Sequence, residues 1–176
     1  LADLGIENYA KLDPLTVSLS HPEAMASLIS GKTEITAHFT SPPFSYQEAK
    51  APGITRVLNS TDVLGHITID VVFALKSFTD KNPKLTQAFM AAQEEANAYI
   101  VKNRKGAAEI FLRVSKLKLP QEEVEQMLAD PGTEFTTTPV DIMQYVIFMG
   151  KAGTIKTKPA VWHDMFVPVF KERKGS

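Results

Sequence analysis

The stretch "PLTVSLSHPEAMASLISGKTEITAHFT", residues 14–40, decides the fold prediction because two alternating runs flank a helical pattern. "PLTVSLS" and "TEITAHFT" each alternate apolar with polar residues, as strands with one buried face do. Between them, "HPEAMASLIS" has Pro22 near a helix start and stops before Gly31, a common residue at helix C-termini. Two strands joined by one helix predict a right-handed βαβ unit and a parallel sheet, with strands near 15–19 and 33–39.

The later sequence changes character. Residues 67–75 are apolar at almost every position, which predicts a strand buried on both faces. Asn82 and Pro83 are suited to a helix start, and the apolar spacing that follows predicts one unbroken helix over 84–102. Three further helices are predicted in "KGAAEIFLRVSK", "PQEEVEQMLAD" and "PVDIMQYVIFMGKAG".

These patterns predict an α/β protein in two parts. Residues 1–60 form the βαβ part, and residues 61–176 contain one strand followed by helices. A single strand buried on both faces carries unpaired backbone groups on both edges, and such groups need partners. We therefore expect the helical part to pack on strands that lie outside these 176 residues.

Composition excludes several classes of function. Lysine plus arginine number 19 and aspartate plus glutamate 20, so there is no basic field to hold a nucleic acid. The chain has no cysteine, which excludes disulfides, thiolate nucleophiles and cysteine-ligated metals. It also has no apolar run long enough to span a membrane as a helix.

The candidate binding residues follow the second predicted strand. Thr40 and Ser41 come after Phe39 and before Pro42, at a carboxyl end, where parallel sheets form their ligand crevices. Small hydroxyls and nearby backbone N–H groups suit a polar or anionic ligand. We expect His38 to lie close by, and Gly65 and His66 to face the same cleft from the crossover between the two parts. On these residues alone, a plain turn is an equal alternative.

Catalytic signals are weak. The four histidines, His21, His38, His66 and His163, form no pair at a metal-ligand spacing, and a structural role is the expectation for each. The metalloprotease, esterase and nucleotide-binding fingerprints do not occur in the sequence. We therefore expect no catalytic residue, no metal ligand and no cofactor.

Four motifs in order carry a family resemblance: "LISGKTEITAHFTSPPF", "VLNSTDVLG", "FTDKNPKLTQAFMAAQEEANAYI" and "FMGKAGTIKTKPAVWHDMF". The sequence resembles the C-terminal part of substrate-binding proteins of nitrate/sulfonate/taurine-type ABC importers. Phe39 and Pro42 match the aromatic residue and the proline that often close the family's binding strand. Thr40 and Ser41 stand where family members carry an acid, so the resemblance does not imply a ligand ammonium group.

The resemblance implies a type II periplasmic-binding-protein-like fold with two lobes. Residues 1–60 would end the second lobe, and residues 61–176 would return to the first. The implied function is capture of a small polar or anionic organic solute between the lobes and its delivery to the permease subunits of an ABC importer. The implied protein is a monomer located in the periplasm, or on the extracellular face with an anchor outside this chain.

Two other classes remain as alternatives. One is a small transferase or hydrolase of the same fold that uses His38 or His66 as a general base. The other is a helical interaction module in which one face of residues 84–102 binds a partner protein.

Overall fold

The computed structural model describes residues 8–176, except the side chains of Tyr9, Lys171 and Glu172. The first seven residues of the predicted first part lie outside this range. Within it, all regular structure is helical. The α-helices are α1 His21–Ser30, α2 Phe44–Lys50, α3 Ser60–Leu64, α4 Lys76–Lys81, α5 Pro83–Lys102, α6 Arg104–Ser115, α7 Gln121–Leu128 and α8 Met143–Lys151. Short 3-10 helices span Tyr9–Leu15, Trp162–Met165 and Pro168–Glu172.

The predicted α/β, periplasmic-binding-protein-like fold is wrong. The described residues contain no β-strand, and the three predicted strands at 15–19, 33–39 and 67–75 form no ladder with one another or with any other described segment. The physical reason is that alternation reports only which positions favour a pleated surface. A strand also needs a neighbouring strand to take its backbone hydrogen bonds along its length. Within the described part of the chain none of these segments has one, and the contact between Thr68 and Val140 stops at a single residue.

The helix predictions fared better where local signals were strong. The helix α1 starts with His21 and Pro22 and ends at Ser30, with Gly31 at φ 60° in the left-handed region, as its C-terminal position predicts. The helix α5 is unbroken from Pro83 to Lys102, which confirms the predicted long helix. Two short helices, α3 and α4, were not predicted from the sequence.

The chain divides into two compact units, Leu1–Val57 and Leu58–Ser176. In the described part of the first unit, α1 packs against α2. The residues buried there are Ala24 on α1 and Glu48 on α2. A buried carboxylate in so small a unit needs a polar partner, because an unpaired charge is costly to bury.

The second unit has its core where α6 meets α7. The buried residues there are Ala107, Ala108, Val124 and Met127, and the alanines are small enough to let the two helices approach closely. The helix α6 also packs against α5. Asn103 separates these two helices, and its side-chain oxygen accepts a hydrogen bond from the N–H of Gly106 at 3.0 Å. A side chain at Gly106 would collide with the ends of the Tyr99 and Asn103 side chains, so both would have to shift to admit a larger residue.

The C-terminal segment packs on itself and on the approach to α8. Trp162 contacts Phe166 edge to face at 5.7 Å, and Phe166 lies 5.2 Å from Phe170, measured between ring centroids. Backbone hydrogen bonds from Ser176 to Pro139 and from Ile142 to Ser176 tie the last residue to the segment before α8. Among the described residues, no helix combines the length and apolar character that crossing a membrane requires.

Candidate functional site

Three polar side chains of the first unit form a hydrogen-bonded cluster: His21, His38 and Glu48. The Nδ1 atom of His21 lies 3.0 Å from Nε2 of His38, and Nδ1 of His38 lies 2.6 Å from Oε1 of Glu48. The side chains of His38 and Glu48 are only 9% and 5% exposed. Both ring nitrogens of His38 therefore have a partner, and the imidazole is fixed in place.

Local sequence explains the position of each member. His21 opens α1, where Ser20 donates two hydrogen bonds to the Glu23 carboxylate, one from its backbone N–H and one from its hydroxyl. These bonds lower the pKa of Glu23 and hold the first turn of the helix. Phe44 opens α2 and stacks on the ring of His21 with 5.5 Å between centroids. Glu48 lies one turn further along α2, which places its carboxylate beside His38.

The chemistry of this cluster follows from the donor and acceptor capacity of imidazole. If the Glu48 carboxylate accepts from Nδ1 of His38, then Nε2 of His38 can accept the Nδ1 proton of His21. The Nε2 atom of exposed His21 is then an acceptor at the outer end. One added proton reverses the His38 to His21 bond and makes that outer nitrogen a donor. The cluster can therefore relay one proton between solvent and a buried carboxylate.

The predicted ligand-binding residues have different environments. Phe39 is 90% exposed, and Ser41 and Pro42 are exposed as well. The backbone carbonyl of Ser41 accepts a hydrogen bond from the N–H of Ser45 at the start of α2. The hydroxyl oxygen of Thr40 is buried and has no hydrogen-bond partner among the described residues. Buried polar atoms without a partner are uncommon, and each calls for an explanation.

Gly65 and His66 lie in the other compact unit. Gly65 follows α3 with φ 72°, and both residues are exposed. The prediction that they face the Thr40 segment stays a prediction.

Sequence reasoning missed His21 and Glu48 as partners of His38. His21 and His38 are 17 residues apart, and no local spacing rule connects a helix start with a loop at that distance. Glu48 was not singled out in the sequence. Its position one turn after Phe44 was the available signal, because residues four apart on a helix share a face.

The second unit contains an apolar groove of about 720 Å³ between the segment after His66, α8 and the C-terminal residues. Its lining includes Ile69, Val71, Tyr145, Met149 and Met165, together with the Asp164 carboxylate. That carboxylate accepts hydrogen bonds from the backbone N–H groups of Ala160 and Val161. No sequence motif pointed to this groove.

Within residues 8–176 there is no group of three histidine, aspartate or glutamate side chains suitably placed to hold a metal ion. No protein-family model, curated protein or solved structure matches this chain.

Proposed function

We propose that this chain is a solute-binding component of an ABC importer, located outside the cytoplasm, which captures a small polar or anionic organic solute at residues 38–42 for a membrane permease. The observation that carries the binding proposal is the buried Thr40 hydroxyl, which has no partner among the described residues. A ligand atom that hydrogen-bonds this hydroxyl would remove the cost of leaving it unpaired.

The neighbouring histidines support a preference for anions or acceptor-rich solutes. Glu48 fixes His38, and His21 lies at the outer end of the cluster. One added proton cancels the charge of the Glu48 carboxylate and leaves an N–H donor at that end, and a donor favours a bound anion. The link to an importer and to a location outside the cytoplasm rests on the motif resemblance alone. The capture of the solute between two sheet-containing lobes is not part of this proposal.

The experiment is a ligand screen by thermal shift and calorimetry with nitrate, taurine and a short alkyl sulfonate as probes. We expect at least one to bind, and Thr40→Val to weaken that binding by about 0.5–1.5 kcal/mol, or up to about 3 kcal/mol if the ligand group is charged. Ser41→Ala should have a smaller effect because Ser41 is exposed. The matched control is Thr36→Val, since Thr36 is an exposed threonine of the same segment. The proposal would be contradicted if none of the three probes bound, or if Thr36→Val and Thr40→Val changed the affinity equally.

A second candidate function is acid–base catalysis, because a histidine oriented by a carboxylate is the usual arrangement of a general base. The observation that favours it is the 2.6 Å contact between His38 and Glu48. A substrate would meet His21, since Nε2 of His38 is already bonded to it. No hydrogen bond to the ring of His66 is found in the described part of the chain. Hydrolysis of p-nitrophenyl esters by the parent, abolished in His21→Gln, would support catalysis. Turnover no faster than in buffer would contradict the hypothesis that the protein hydrolyses esters.

A further inference from the structure

Residues 67–75 form an apolar segment in the second unit that is exposed from Ile69 onwards. The segment runs without helix, turn or bend between His66 and α4. Five of its side chains are large, apolar and more than half exposed, and Phe73 is 91% exposed: Ile69, Val71, Val72, Phe73 and Leu75. A contiguous exposed run of large apolar side chains is unusual on a protein surface and is typical of an interaction site.

Among the described residues, the backbone of this segment has hydrogen-bond partners only at its two ends. Thr68 exchanges hydrogen bonds with Val140, and the carbonyl of Leu75 accepts from the first turn of α4. Between these anchors, the backbone groups of residues 69–74 make no hydrogen bond to any described residue. Anchored ends and free backbone groups in the middle present an edge on which another strand can pair.

We propose that residues 69–75 pair with the same residues of a second copy of this chain, antiparallel about Val72. In this register Val72 faces Val72, Val71 faces Phe73, and Ile69 faces Leu75. Asp70, the one charged residue of the segment, faces Ala74. Apart from these two Asp70–Ala74 pairs, apolar side chains face apolar side chains, which stabilises a two-stranded contact.

The alternative of parallel, in-register pairing is disfavoured by the same residues. It would place the two Asp70 carboxylates side by side, and like charges directly opposite one another are destabilising. The antiparallel contact is also closed by a two-fold axis, so it ends at a dimer on this edge. This proposal replaces the expectation of a monomer and does not depend on the proposed solute binding.

The first test compares Val72→Lys with Val114→Lys by sedimentation velocity from about 1 µM to about 100 µM protein. Val72 is 74% exposed and Val114, on α6, is 71% exposed, so neither substitution removes a core residue. We expect the parent and Val114→Lys to dimerise. Val72→Lys should raise the dimer Kd at least about tenfold, since it places two lysines opposite each other. A monomeric parent, or equal behaviour of the two variants, overturns the proposal.

The second test measures the register by disulfide cross-linking. The chain has no cysteine of its own, so an introduced cysteine can pair only with the same cysteine of another copy. Directly opposed residues of antiparallel strands have Cα atoms about 4.5–5.5 Å apart, within the range that a disulfide spans. Val72→Cys should therefore form a disulfide-linked dimer under mild oxidation. Asp70→Cys should not, because its own copy lies about four residues away along the strand. Efficient cross-linking of Asp70→Cys, or none of Val72→Cys, would overturn the register.

Discussion

At the scale of single residues, Glu48 shows how a buried charge is accommodated in a small unit. It is 4% exposed, and His38 is its hydrogen-bond partner at 2.6 Å. Removing one partner of such a bond costs more than the bond itself contributes, because the other group stays buried and unpaired. The His21, His38 and Glu48 cluster is therefore a structural element of the first unit whatever else it does.

We expect Glu48→Ala to lower the free energy of unfolding by about 1–3 kcal/mol, because it leaves Nδ1 of His38 without its acceptor. Glu48→Gln should cost less, since the amide oxygen can still accept that bond. Amide hydrogen exchange in α1 and α2 measures the change locally. The control is Glu34→Ala at an exposed glutamate of the same unit, which should stay within about 0.5 kcal/mol. Equal effects at the two positions would show that the cluster does not stabilise the unit.

At Thr40, in contrast, we expect a substitution to raise the free energy of unfolding. Its hydroxyl is buried without a partner, which is unfavourable in the absence of ligand. Thr40→Val should therefore raise the free energy of unfolding by about 1 kcal/mol while it weakens solute binding. Chemical denaturation without ligand tests the first half. A loss of stability would mean that the hydroxyl is satisfied in solution and would remove the main support for the binding site.

At the scale of helices, the contact between α6 and α7 forms the core of the second unit. The helices α6 and α7 pack against each other. Val124 on α7 is 2% exposed, and Ala108 on α6 is fully buried. Val124→Ala should cost about 2 kcal/mol of unfolding free energy through lost contacts and the cavity left behind. The same change at exposed Val114 should stay within about 0.5 kcal/mol. Urea denaturation of both variants, at concentrations where the protein is monomeric, checks this core assignment.

The C-terminal segment is linked to α5 by an ion pair. Arg173 donates to the Glu94 carboxylate, which also accepts a hydrogen bond from Thr137. The hydrogen bond from Arg173, followed by its charge, lowers the pKa of Glu94 below its ordinary value of 4.5, and partial burial opposes this shift. Both side chains are partly exposed, so the pair is expected to contribute less than about 1 kcal/mol.

The pH dependence of this contact follows from the lowered pKa. A carboxylate with a depressed folded-state pKa stabilises the fold above the unfolded value and loses that contribution as pH falls through the folded value. We expect the stability difference between the parent and Glu94→Gln to be present at neutral pH and to disappear well below pH 4.5. Unfolding curves from about pH 6 down to about pH 3 measure this. A difference that persists unchanged to the lowest pH would contradict the assignment.

At the scale of the whole molecule, a net charge of −1 accompanies a large exposed apolar area. Charge keeps copies apart, and its magnitude is smallest near the isoelectric point of about 6.5. We expect solubility to be lowest near that pH. Precipitation midpoints from about pH 5 to about pH 9 measure it. Val72→Lys and Val114→Lys change the charge equally, so a larger gain in solubility for Val72→Lys would identify residues 67–75 as the cause, and equal gains would exclude them.

The sequence by itself determined most of the helices. Pro22, Gly31 and the run after Pro83 act through capping and apolar spacing, which operate within a few residues, so α1 and α5 could be predicted closely. The predicted strands had equally clear alternation, but a strand depends on a neighbour that local sequence does not specify. Only the tertiary structure decided that residues 69–75 are exposed and that they form no ladder with another described segment. Only the tertiary structure, likewise, brought His21, His38 and Glu48 together, because hydrogen bonds across 10 and 17 residues of chain depend on how α1 packs on α2.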